Sequence, residues 1–173
     1  MNVVAYDGLF WLAATRYAGG TGLDATSFAA LLKAHAQAES AFNIRAVGPE
    51  VPTISRGLMQ LTTKTARALG YTGTLGDDAT RMGGLYDPAI AIPLAAQLVR
   101  QNLQAANGAI NVAIAAYNEG IARAKDDFAT GRPWRTTDPQ YVNKVRVYLA
   151  DFLPYFVGQA DTGGVGLWLR GLL

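Results

Sequence analysis

The 173-residue sequence has no cysteine and a single histidine, His35. The missing thiols exclude a disulfide framework and a thiolate-bound metal. One histidine without clustered ligands argues against zinc, so neither a metal nor any other cofactor is expected. Charge is scarce as well. Charged residues make up 16% of the chain, and 15 basic against 13 acidic side chains leave a net charge of +2. That balance is no nucleic-acid footprint, although it suits contact with an anionic polymer. No apolar run reaches the roughly 18 residues needed to span a bilayer. Met1 to Asp7 show no basic stretch leading into an apolar segment of export-signal length.

What the sequence does have points to helices. Half of the residues are apolar, alanine is frequent, and β-branched runs are short. A chain of this length forms one domain and buries about two-thirds of its unfolded surface. The expected architecture is all-α and monomeric, with small hairpin or irregular regions around 43–56 and 71–86. The domain is expected over 1–154. The remainder, 155–173, reads as a hydrophobic, glycine-containing tail that packs on the domain, with weak contact to a membrane or partner as the alternative.

The boundaries follow from caps and breakers. Asp7 is expected to cap a helix through Tyr17, ended by Gly19 and Gly20. Asp24, Thr26 or Ser27 caps a second helix that ends at Phe42 and Asn43. Gly48, Pro49 and Pro52 break the loop that follows. Thr62 or Thr63 starts a helix to Leu69, and Asp87-Pro88 starts one that runs to about Ala106. Ala109 to Asn118 reads as a buried helix and Ile121 to Ala129 as another. Asp138-Pro139 opens a last helix, expected to stop before Pro154.

The segment from Phe28 to Gln60 carries the chemistry. Phe28, Leu31, Leu32, His35 and Glu39 share one helical face. That face is apolar until Glu39, whose charge is costly to bury without a partner. From the stripe alone, a helix-end Glu that turns to solvent is the simpler reading.

The neighbouring residues carry a resemblance. Gln37-Ala38-Glu39-Ser40-Ala41-Phe42-Asn43, then Gly57-Leu58-Met59-Gln60, then Thr65-Ala66-Arg67-Ala68-Leu69-Gly70 resemble blocks of the soluble-lytic-transglycosylase type (SLT domain) of peptidoglycan lytic transglycosylase, within the lysozyme-like superfamily. Ala113-Ile114-Ala115-Ala116-Tyr117-Asn118 and Tyr141-Val142 resemble its later blocks. The likeness spans roughly residues 27–150. There are departures. Thr63 stands where the family commonly has proline, Ala91 and Ala95 where it has Asn and Gly, and Thr137 where an acidic residue usually precedes the tyrosine. The segment Gly48 to Thr53 looks like an insertion and is expected to form part of the groove wall.

The resemblance implies a lysozyme-like helical fold that cleaves the β-1,4 bond between N-acetylmuramic acid and N-acetylglucosamine and closes a 1,6-anhydro ring. It implies that Glu39 is the single acid and base. A glutamate on an apolar face has the raised pKa such an acid needs. Ser40, Gly57, Met59, Gln60, Tyr117, Asn118 and Tyr141 are the implied substrate-binding residues. Ser40 could equally bond its own backbone, and Met59 could fill the core. His35 is expected to be neutral, partly buried and without a catalytic role.

Two alternatives stay open. One is a lysozyme-type muramidase with Glu119 or an Asp as base. The other is an inactive domain that binds glycan or joins a virion or secretion assembly. The expected partner is the glycan strand of peptidoglycan, outside the cytoplasm. The lack of an export signal suggests a phage virion or lysis enzyme, an excised domain, or a dedicated route of delivery.

Overall fold

The computed structural model describes residues 4, 6–48 and 54–161. All but Gly48 of the expected groove-wall insertion, Gly48 to Thr53, and most of the expected tail, namely 162–173, lie outside the described residues.

Two helices form the first layer. α1 is Asp7–Tyr17 and α2 is Ala25–Ser40. Asp24 caps α2 by accepting from the Ser27 amide at 2.7 Å, which satisfies one orphan donor of the first turn. Every residue from Phe28 to Ala36 is buried. A helix buried on all sides is the axis of a domain rather than a surface element. The single apolar stripe expected from the spacing is therefore an understatement. The two ends of the helix, Ala25 to Ser27 and Gln37 to Ser40, are half-buried. Left-handed residues at Ala41 and Phe42, φ 50° and 63°, end the helix.

A hairpin follows. β1, Ser55–Arg56, pairs antiparallel with β2, Leu61–Thr62, with Ser55 opposite Thr62 and Arg56 opposite Leu61. The turn between them is Gly57-Leu58-Met59-Gln60. Gly57 has φ 71°, and a Cβ there would sit 2.3 Å from the Leu85 carbonyl oxygen. Glycine is the residue that fits both constraints. Arg56 fastens the hairpin to the next loop through Asp78, with bonds of 2.6 and 2.7 Å.

The remaining helices are α3, Thr63–Ala68; α4, Pro88–Ala105; α5, Ile110–Glu119; α6, Ile121–Thr130; and α7, Tyr141–Asp161. Thr62 caps α3 and Asp87 caps α4 with Pro88 in its first turn, as the sequence indicates. A 3-10 turn, Gly84–Tyr86, precedes α4. The hairpin expected around 71–86 reduces to one bridge, Asp77 with Met82. α7 and α1 both pack along α2, α4 packs on α1 and α5, and α6 packs on α5.

Two sequence expectations are corrected. Asp7 is not a cap. It lies inside α1, fully buried, and its Oδ1 accepts from Lys33 Nζ of α2 at 2.5 Å. The Lys33 ammonium sits 5.0, 4.9 and 5.6 Å from the ring centres of Phe152, Tyr155 and Phe156. Burial raises the Asp7 pKa and lowers that of Lys33.

Nor does Pro154 stop α7, which continues to Asp161. Proline costs one backbone hydrogen bond. The packing of Tyr155 and the fully buried Phe156 around Lys33 offsets that loss.

Candidate active site

The last turn of α2, the hairpin, the ends of α5 and α7 and the loop before α7 enclose a cleft of about 480 Å³. Glu39 lines it, and so do Gln60, Tyr117, Asn118 and Tyr141. These five expected site residues come from four separate elements. Ser40, Gly57 and Met59 do not line this cleft.

Glu39 presents a carboxyl at its wall. The Tyr141 hydroxyl, from the first residue of α7, donates to Glu39 Oε1 at 2.5 Å. Burial pushes the Glu39 pKa up to about 7, against the lowering effect of that hydrogen bond. The physical cause is the desolvation of a carboxylate between two helices. Both tyrosines beside it are held well above their usual pKa, by burial first and by the Glu39 charge next. They are therefore hydrogen-bond donors throughout the range in which Glu39 titrates.

His35 lies one turn before Glu39 and is 1% exposed, more deeply buried than the sequence suggests. Its Nδ1 is 2.9 Å from the Tyr141 hydroxyl. Its ring stacks on Tyr117 with centres 4.4 Å apart and planes at 27°. Burial drives its pKa down to about 3, so the imidazole is neutral beside the acid.

The other expected residues hold the walls. Tyr117 donates its hydroxyl proton to the Met59 carbonyl at 2.8 Å, which clamps α5 to the hairpin turn. Met59 is fully buried and offers the cleft nothing but that anchored carbonyl. Ser40 Oγ donates to the Leu58 carbonyl at 2.8 Å and so ties α2 to the same turn. Gln60, at φ 47°, donates to the Gly57 carbonyl and accepts from Ser55 Oγ, at 2.9 and 2.7 Å. Asn118 Oδ1 accepts from the Thr137 amide at 2.8 Å and fixes the loop before α7.

Sequence reasoning missed Thr62, Thr65, Leu98, Thr137 and Asp138, all of which line the cleft. Thr62 was visible only as a helix cap. Asp138 was visible only as a helix start. The Asp138 carboxylate accepts from Lys144 at 2.6 Å, and this bond holds its pKa below the usual value. Glu119, by contrast, is absent from the Glu39 cleft. It sits near Asp127 and the Arg135 backbone, and burial followed by Asp127 raises its pKa.

Among the described residues no cluster of His, Asp or Glu could hold a metal ion, and no helix is long and apolar enough to cross a membrane.

The fold is similar to that of the 70 kDa soluble lytic transglycosylase from Escherichia coli, with a TM-score of 0.63 and 23% identity. The match covers 90% of this chain and 25% of that one, so the chain spans about a quarter of its structural relative. At that identity the likeness speaks for the fold, which is all-α and lysozyme-like. No curated protein matches the chain. The family model described as Transglycosylase SLT domain matches residues 16–133, from the end of α1 to the loop before α7. That span contains Glu39, the hairpin and α5, and the chain belongs to the transglycosylase SLT domain family.

Proposed function

We propose that the domain is a peptidoglycan lytic transglycosylase. It cleaves the β-1,4 bond between N-acetylmuramic acid and N-acetylglucosamine, with Glu39 as the single acid and base and Ser40, Gly57, Met59, Gln60, Tyr117, Asn118 and Tyr141 shaping or supporting the glycan site. One observation carries the reading: Glu39 lines a cleft with a pKa of about 7 and a tyrosine hydroxyl on its Oε1. Such a carboxyl holds a proton near neutral pH and can return to the anion within the same turnover.

The chemistry follows from that geometry. Protonated Glu39 donates to the glycosidic oxygen, and the bond to the muramic acid anomeric carbon breaks with oxocarbenium-like charge. The Glu39 carboxylate then takes the proton of the sugar's own C6 hydroxyl, whose oxygen closes the 1,6-anhydro ring. Atoms balance without water, and Glu39 ends protonated. Tyr141 stays protonated beside it and stabilises the anionic intermediate state of the carboxylate through its hydrogen bond to Oε1. The substrate places the domain's action on the cell wall.

A hydrolase is the second reading, and Asp138 is the observation that favours it. This carboxylate lines the same cleft, and its lowered pKa keeps it ionised as a base must be. Digestion of purified peptidoglycan by the parent and by Glu39→Gln, with the products weighed, tests both. Anhydro ends that vanish in the variant are expected. Reducible ends from the parent would establish the hydrolase instead, and undiminished cleavage by Glu39→Gln would remove Glu39 from the chemistry.

A further inference from the structure

We propose that His35 is a positioning residue: its Nδ1–H donates to Tyr141, fixes the direction of the Tyr141–Glu39 hydrogen bond, and so selects the carboxyl oxygen that carries the acid proton. The inference rests on the reading of Glu39 as the acid and deepens it.

The Tyr141 hydroxyl has one hydrogen and two neighbours, Glu39 Oε1 at 2.5 Å and His35 Nδ1 at 2.9 Å. It donates to one of them and accepts from the other. An ionised Glu39 can only accept, so Tyr141 donates to Oε1 and His35 must donate from Nδ1. The neutral imidazole is then the Nδ1–H tautomer, and the order runs from His35 through Tyr141 to Glu39.

That order has a consequence when Glu39 takes up its proton. While Nδ1 bears hydrogen, Tyr141 cannot turn to His35 and keeps donating to Oε1. Oε1 remains an acceptor, so the proton settles on Oε2, the oxygen left for the cleft. In the opposite tautomer Nδ1 is an acceptor. Tyr141 would then donate to His35, and Glu39 would point its proton from Oε1 into the protein, away from any glycosidic oxygen. The tautomer thus decides whether the acid faces its substrate.

The surroundings keep the device neutral. His35 is 1% exposed and packed flat on Tyr117. The titratable groups that face this pair are Tyr117 from α5, Tyr141 from α7 and Glu39 on α2 itself. Asp138 lies in the same cleft, paired with Lys144 of α7.

One property of the sequence makes the test clean. The chain holds a single histidine, so every imidazole signal in the intact protein belongs to His35. Nitrogen-15 NMR of histidine-labelled protein is expected to show a proton on Nδ1 and none on Nε2, without titration from about pH 5 to about pH 9. A proton on Nε2, or an imidazolium within that range, overturns the proposal.

Kinetics supply the second arm. In His35→Phe, kcat should fall by up to about a hundredfold with KM unchanged. The alkaline limb of its pH profile should move to higher pH, because a Tyr141 without a donor behind it donates less strongly to Glu39. His35→Asn, whose amide can donate from near the Nδ1 position, should recover part of both. A folded His35→Phe with the parent's kcat and alkaline limb overturns the proposal. If that variant does not fold, the tautomer of the parent decides alone. Absence of wall cleavage by the parent would remove the role of Glu39, whereas the Nε2 tautomer in an active parent would remove only that of His35.

Discussion

The hydroxyl of Tyr141 and the carboxyl of Glu39 meet at 2.5 Å although 102 positions separate them in the chain. The contact exists because α7 runs along α2 and delivers its first residue to the last turn of its neighbour. Tyr141 is 3% exposed and its hydroxyl is held on one side by the acid and on the other by His35. The acid is therefore poised by two opposing effects, burial upward and the tyrosine downward.

Removing the tyrosine hydroxyl should unbalance them. In Tyr141→Phe the lowering effect is lost and the Glu39 pKa rises above about 7. The sign is fixed by the role: an acid that must be protonated fails as pH climbs through its pKa. The alkaline limb of activity should thus move to higher pH while kcat at the plateau falls by one to two orders of magnitude, roughly. Rates on purified peptidoglycan across pH check this. An unmoved limb would mean that another group sets it.

Glu39→Gln should abolish cleavage and at the same time stabilise the fold at alkaline pH. The Glu39 pKa lies near 7 in the folded protein against an ordinary 4.5. Such a raised group favours folding fully below the unfolded value, and that contribution is lost progressively as pH rises from about 4.5 through about 7. At pH 8 the variant escapes a penalty on the order of 3 kcal/mol. At pH 4 parent and variant should melt alike. Thermal denaturation at the two pH values gives the comparison, and equal stability at pH 8 would show that Glu39 is not desolvated.

The elements that rest on local chemistry were legible in the sequence. Asp24, Thr62 and Asp87-Pro88 start helices because a side-chain oxygen or a proline at a helix start acts within one turn. Gly131 ends one because glycine adopts its left-handed φ of 66° without strain. The Glu39 block was legible as a motif. What stayed hidden depends on partners distant in the chain. Asp7 has the look of a cap, yet its partner Lys33 lies 26 residues away. Pro154 has the look of a stop, yet Phe156 has a place in the core. Ser40 and Met59 have the look of groove residues, but their bonds and packing face the hairpin turn. Asp138 differs again, since its place in the cleft comes from a loop pinned by Asn118.

The Asp7–Lys33 pair should show the asymmetry of buried charges. Both side chains are fully buried. Lys33→Met leaves Asp7 without its cation and should cost about 3 to 5 kcal/mol. Asp7→Leu combined with Lys33→Met removes both charges and should recover most of that loss, because two desolvation penalties disappear together. Urea unfolding of the parent, the single variant and the double variant measures it. A double variant as unstable as the single would mean that the ammonium's contact with Phe152, Tyr155 and Phe156 matters more than charge balance.

The product separates the transglycosylase from the hydrolase, and Asp138→Asn is the variant that asks the question. Asp138 is ionised and cleft-lining, but its carboxylate is engaged by Lys144 and by the Gln140 amide at 2.6 and 2.9 Å. A base so occupied is a poor activator of water. The C6 hydroxyl of the substrate is held next to the reacting carbon and has the advantage of proximity over any solvent molecule. The muropeptides released by the parent should therefore end in 1,6-anhydro-N-acetylmuramic acid, lighter by one water than a hydrolysis product and resistant to borohydride. Asp138→Asn should keep those ends and lose little turnover. Reducible ends from the parent, together with a loss in Asp138→Asn comparable to that in Glu39→Gln, would make Asp138 the base of a muramidase and Glu39 its acid.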